Sequence, residues 1–176
     1  REKSTLEDVA REAGVSLAYY QFLQALRPSK EGWLADVVGQ GVQYTVACKQ
    51  IIDCSGGAEV VGMAGFERLR SKVRQPGTLM FSIGGIDREK LNKEQVQAEY
   101  QQALIDGRLI KGDCSNGNMY GFILGGGGNN NHIPGADSST AGTQTQANLA
   151  GRKSLMRLLK FIRSLTGGEN ARIERM

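Results

Sequence analysis

Proline, histidine and cysteine are scarce in this 176-residue chain, and each scarcity excludes something. There are 3 prolines, 3 cysteines and 1 histidine, His132. Structural zinc takes four Cys or His ligands at short spacings. Cys48, Cys54 and Cys114 form no CxxC pair, so no metal site is expected. An odd cysteine count suits a reducing compartment or a domain without disulfides. No apolar run reaches the roughly 18 residues of a membrane-spanning helix, so no membrane span is expected. The sequence opens on Arg1, with no initiator methionine and no signal-peptide pattern. It is expected to be an internal piece of a longer protein, which leaves the compartment open. No internal repeat is visible.

Glycine is plentiful, at 24 residues. Apolar runs separate the glycines, so they do not mark disorder. They point to backbone packed close to other backbone or to a ligand. A hydrophobic content of 40% and a charged content of 23% are those of a globular protein, and the length fits one large or two small domains. The net charge of +4 is uneven: residues 150–176 hold seven Lys or Arg against Glu169 and Glu174, which leaves the remainder slightly acidic. No aromatic residues interleave with this basic stretch. It reads as the solvated side of an amphipathic helix, and no nucleic-acid partner is expected.

Along the chain, "STLEDVAREAG" predicts a helix. Ser4 and Glu7 have capping-box spacing, Leu6, Val9, Ala10 and Ala13 share a face, and Gly14 ends it. "VSLAYYQFLQAL", "WLADVVG" and "VQYTVAC" predict three strands, joined by "RPSKEG" and by Gly39-Gln40-Gly41, in an antiparallel meander. Tyr19, Tyr20, Phe22, Trp33 and Tyr44 are expected to pack between its faces. "KQIIDCSGG" predicts a short apolar strand entering glycines, and "AEVVGMAG" a brief helix closed by Gly65. Charges and Pro76-Gly77 near residues 66–77 suggest a domain boundary, giving domains 1–74 and 75–176. Beyond it, "TLMFSIGGI" and "MYGFILGGGG" predict strands, and "NNNHIPGADSST" a polar loop. A helix follows Asn92, with Val96, Tyr100, Ala103 and Leu104 inward. The longest helix carries the stripe Leu155, Leu158, Leu159, Ile162 and Leu165 and stops at Gly167. The fold class is α+β.

Two stretches carry candidate chemistry. In "IIDCSGG" a glycine pair lets another group approach the main chain at Cys54, Ser55, Gly56 and Gly57. The plainer reading is a tight turn, with Asp53 capping it through its own downstream amides. "LGGGGNNNH" offers many amides and little bulk, which suits either a ligand lining or a flexible surface loop. His132 has the right ordinary pKa for a general acid or base near neutrality, or it is a structural hydrogen-bonder. Arg152 could hold a substrate carboxylate or Asp137, or form a helix-surface ion pair. Asp113 and Cys114 fall in "KGDCSNGN", a polar loop in which Cys114 has no assigned role.

A glycine-ended helix, a meander, then "ACKQIIDCSGGA" resembles FAD-dependent oxidoreductases of the two-dinucleotide-binding-domain type. Members of that family read roughly "Gv.l", a meander, "i.Ak.vIDaTGDa" and "aG". Here Gly14-Val15, Ala47-Cys48-Lys49, Ile52 to Ala58 and Gly65 fall on that pattern, with Ser55 in place of Thr and Gly57 in place of an acid. The stretch from Asn131 to Gly168 is similar to the family's later "hv.g.da…gR" segment at His132, Gly135, Asp137, Thr143, Ala147, Gly151 and Arg152. The resemblance implies FAD as cofactor of the full-length protein, backed by Cys54, Ser55, Gly56 and Gly57. It implies a small-molecule substrate met by Asn129, Asn130, Asn131 and Arg152, with His132 as the catalytic candidate. It also implies a GxGxxG that seats the pyrophosphate on a helix N-terminus. These 176 residues contain no GxGxxG. The partners implied are the remaining N- and C-terminal parts of the same protein, and the chain alone is expected to be inactive and free of FAD. The alternative is a non-catalytic binding or scaffold module on a flavoprotein-like fold.

Overall fold

The computed structural model describes residues 5–176. They form two compact units, divided between Arg70 and Ser71. Helices and small antiparallel sheets make the α+β fold that the sequence pattern leads one to expect.

The first unit opens with α1 (Leu6–Glu12). The expected box at Ser4 falls outside the described residues. Thr5 caps the helix instead: its Oγ accepts the Asp8 amide at 3.3 Å, and its own amide donates to the Asp8 carboxylate at 3.0 Å. The meander follows as β1 (Gln21–Ser29), β2 (Gly32–Gly39) and β3 (Val42–Cys48), in that spatial order. β1 starts later than the β-rich stretch suggests, because Tyr20 sits at φ 57°, a left-handed conformation that no strand continues through. It also runs through Pro28, where a turn was expected. An edge strand tolerates proline because one row of its amides has no ladder partner. Both hairpin loops are two residues long, and Gly41 supplies the positive φ of the second, at 73°. Asp36 ties the three strands together, taking the Arg27 guanidinium at 2.7 Å on one side and the Thr45 hydroxyl at 2.7 Å on the other.

One layer covers little. Ala35 is the only buried apolar residue among the described residues of this unit. The aromatic residues do not pack between faces as the sequence suggests: Tyr20 is 89% and Phe22 71% exposed. Among the described residues of the unit, no full second layer covers the three-stranded sheet to receive them. The apolar strand expected before the glycines is also absent. Residues 50–54 pair with no strand, and Ile52 is 88% exposed. The short helix α2 (Glu59–Met63) then lies against β1.

The second unit has a real core. α3 (Lys93–Ile105) is capped by Asn92, whose side chain accepts the Gln95 amide at 2.9 Å, and it buries Val96, Tyr100 and Ala103. α5 (Ala141–Arg163) buries Leu155, Leu158, Leu159, Phe161 and Ile162 against them. The expected single strand over "TLMFSIGGI" is two, because its halves take different partners. β4 (Gly77–Thr78) pairs with β6 (His132–Ile133), and β5 (Ser82–Gly84) pairs with β7 (Arg172–Arg175). The expected strand over "MYGFIL" is a helix, α4 (Met119–Leu124). Asn118 caps it, accepting the Gly121 amide at 2.9 Å. Met119, Phe122 and Ile123 then fall on one buried face, with Phe122 meeting Phe81 edge-on at 5.9 Å.

The glycine run after α4 is packed backbone rather than a free loop. The Phe81 carbonyl accepts the Gly128 amide at 3.1 Å, and the Gly126 carbonyl accepts the Ile83 amide at 2.8 Å. A Cβ on Gly127 would stand 2.5 Å from the Phe81 oxygen. Two outcomes are expected in urea or guanidinium unfolding. Leu158→Ala, at a fully buried position, lowers stability by about 2–5 kcal/mol. Gly127→Ala lowers it by about 1–3 kcal/mol through clash and positive φ, whereas Gly107→Ala, with open space around it, costs only the backbone term of about 1 kcal/mol.

Candidate functional site

In the first unit, Asp53 organises the turn that the sequence singles out. Its carboxylate accepts the amide of Ser55 at 2.9 Å and that of Val61 at 3.0 Å, and the Ser55 hydroxyl accepts the Glu59 amide at 3.0 Å. These bonds hold the Asp53 carboxyl down at about 2, the Ser55 side chain and amide first and the Val61 amide next. Asp53 therefore has a structural task, and Cys54, Ser55, Gly56 and Gly57 are left on the surface. Gly56 is at φ 79°, and nothing lies within 4 Å of where its Cβ would be. The turn is thus a small, internally satisfied platform with bare main chain on its outer side. A flat aromatic ligand can reach such backbone closely.

In the second unit the organising group is Asp113, which the sequence reading passed over as part of a polar loop. It sits in a 3₁₀ turn (Lys111–Cys114) and is completely buried. Four donors meet it: the Ile110 amide at 2.9 Å, the Arg157 Nε at 3.1 Å and Nη2 at 2.7 Å, and the Ser154 hydroxyl. Ser154 in turn accepts from Asn131 Nδ2 at 2.5 Å. Ser154 and Arg157 are three residues apart, so both project from one side of α5. The fork of Arg157 fits the carboxylate in two-point fashion. The only sequence signal for this network is that i,i+3 polar pair breaking an otherwise apolar stripe.

Asn131 is completely buried, and its Oδ1 has no hydrogen-bond partner among the described residues. Asn129 is exposed, and the Asn130 carbonyl accepts the Ser115 amide at 2.8 Å. The three asparagines thus do not form one lining. Next to them, His132 pairs with Thr78 across β4 and β6, and its Nε2 lies 3.5 Å from the Ser115 hydroxyl. It lines an open groove of this unit. Arg152 is exposed on α5 and is not among the residues lining that groove. Asp137 is held by Arg74 at 2.6 Å. Burial raises the Cys114 thiol, which keeps it protonated and unreactive at neutral pH.

With the turn and the groove described, comparison with known proteins is decisive for the family. A family model described as FAD dependent oxidoreductase matches residues 2–176. The chain belongs to the FAD dependent oxidoreductase family. Searches of curated proteins and of solved structures gave no match.

Two measurements check this geometry. Asp53 is expected to titrate near pH 2 in a carboxyl-detected NMR series. Its folded pKa lies below the ordinary 3.8, so its contribution is fully present above about pH 4 and is lost as pH falls through about 2. The amide shifts of Ser55 and Val61 should move with it. In the second unit, Arg157→Gln leaves the buried Asp113 carboxylate short of its cation and should cost about 3–5 kcal/mol in denaturant unfolding. Ser154→Ala should cost about 1–3 kcal/mol.

Proposed function

We propose that this chain forms part of the flavin and substrate site of a flavin-dependent oxidoreductase acting on a small molecule. The observation that carries the proposal is the bare main chain of Cys54–Gly57, with open space at Gly56, in a chain of the FAD dependent oxidoreductase family. When bound, the flavin supplies the redox chemistry, accepting or donating a hydride or single electrons. The residues of this chain position and shield. Asp53 holds the turn rigid from behind, so the backbone of Cys54, Ser55, Gly56 and Gly57 meets the cofactor without a change of shape. Gly57, in place of an acid, makes its contribution through backbone.

In the second unit, Asp113, Ser154 and Arg157 brace Asn131, and through it the short strand that carries His132. His132, which lines the groove, is the candidate to exchange a proton with a substrate. Its Nε2 shares the hydroxyl of Ser115, which orients the ring. Asn129 and Arg152 stay on the surface as secondary substrate contacts. The 176 residues contain no GxGxxG. In this proposal other segments of the full-length protein seat the pyrophosphate, and this chain by itself neither retains FAD nor turns over.

The test is a spectrum of the full-length protein combined with a matched pair of variants. The purified protein should be yellow, with flavin absorption. Gly56→Ala and Gly65→Ala both place a side chain at positive φ, 79° and 84°, with open space in front. Both should therefore lose about 1 kcal/mol of stability. Only Gly56→Ala should also weaken flavin retention, by about tenfold or more. A colourless full-length protein, or equal flavin content in the two variants, would sink the proposal and favour a non-catalytic binding module.

A further inference from the structure

The groove beside His132 has a one-sided charge. It has a volume of about 420 Å³ and is lined by Arg74, Lys111, Ser115 and His132, with Pro76 and Pro134 as apolar walls. No carboxylate lines it. Asp137 takes the Nη1 of Arg74 at 2.6 Å and leaves the rest of that guanidinium fork available. Lys111 has no acidic partner among the described residues. The backbone beneath is fixed. Lys111 and Ser115 flank the buried Asp113 anchor, and His132 follows Asn131, which is hydrogen-bonded to Ser154. Lys111, Ser115 and His132 thus stand on a hydrogen-bonded frame.

A site of this size, mostly apolar with a few convergent polar groups, has the usual make-up of a small-molecule pocket. Two cations and a hydroxyl call for an anion. Two proline walls call for an apolar body attached to it, which distinguishes an organic acid from a fully hydrated inorganic ion. We propose that this groove binds the carboxylate of a small organic acid with an apolar body, and that the substrate of the enzyme belongs to this class. The inference rests on the oxidoreductase reading for the word substrate, but the groove's anion preference stands on its own residues.

Benzoate serves as the probe and benzamide as its neutral isostere, titrated calorimetrically into the full-length protein at one fixed pH and ionic strength. Inorganic phosphate is the competing anion. Benzoate is expected to bind about tenfold tighter than benzamide. Lys111→Gln should weaken benzoate by about fivefold and leave benzamide unchanged. Arg74→Gln should act in the same direction, and Lys153→Gln, an exposed lysine on α5 outside the groove, should do nothing. Absent or equal binding of the two probes, insensitivity to Lys111→Gln, or phosphate binding more tightly than benzoate would overturn the proposal. Flavin absorbance is recorded on the same samples. Yellow protein without a benzoate preference defeats the groove alone. Colourless protein that still prefers benzoate through Lys111 defeats the oxidoreductase reading and keeps the anion site.

Discussion

A single buried carboxylate holds the second unit's site together. Asp113 has no exposure and carries a charge that the interior would otherwise reject. It is stable there because Arg157, Ser154 and the Ile110 amide all point donors at it. The consequence is mechanical as much as electrostatic. The 3₁₀ turn is tied to the middle of α5, Ser154 passes the tie to Asn131, and Asn131 precedes the strand that carries His132. Remove any member and a buried polar atom loses its partner, so the segment from Lys111 to His132 is held in one register. The Oδ1 of Asn131 is the group this network leaves without a partner among the described residues, at a desolvation cost.

The two units achieve order by different physics. The second buries a cluster drawn from α3, α4, α5 and the short strands, and its glycine run lies flat against Phe81 because only glycine leaves room there. The first unit buries almost nothing. Its sheet is held by ladder hydrogen bonds and by the Arg27–Asp36–Thr45 bridge, and its glycine turn by the local bonds of Asp53. Such bonds act over a few residues and need no core, which is why a turn on an unburied segment can still have a definite shape. The same economy leaves Cys54, Ser55, Gly56 and Gly57 on the surface.

Several elements were legible because their causes are local. The meander follows from runs of β-formers separated by short turn clusters. α3 and α5 follow from apolar spacing, an N-cap and a terminal glycine, and their expected inward residues are buried or lie against the core. Asp53's capping role was likewise readable, since it depends on amides two and eight residues away. The failures had non-local causes. "MYGFIL" is apolar and β-prone, and becomes helical because Asn118 caps it and Phe81 receives Phe122. "TLMFSIGGI" is split because its two ends pair with different and distant segments, His132–Ile133 of β6 and Arg172–Arg175 of β7. "IIDC" has the composition of a strand and no neighbour to pair with.

The sequence by itself determined the fold class, the two long helices and the family, because caps, periodicity and a glycine-turn motif are written in consecutive residues. It also marked Cys54–Gly57 and His132 as places to look. Only the tertiary structure decided that Asn131 is an internal brace, that Asp113 anchors the segment around it, and that Arg74, Lys111 and His132 line one groove. These residues lie tens of positions apart in the chain, and hydrogen-bond geometry and burial, which select among their possible partners, exist only once the chain has folded.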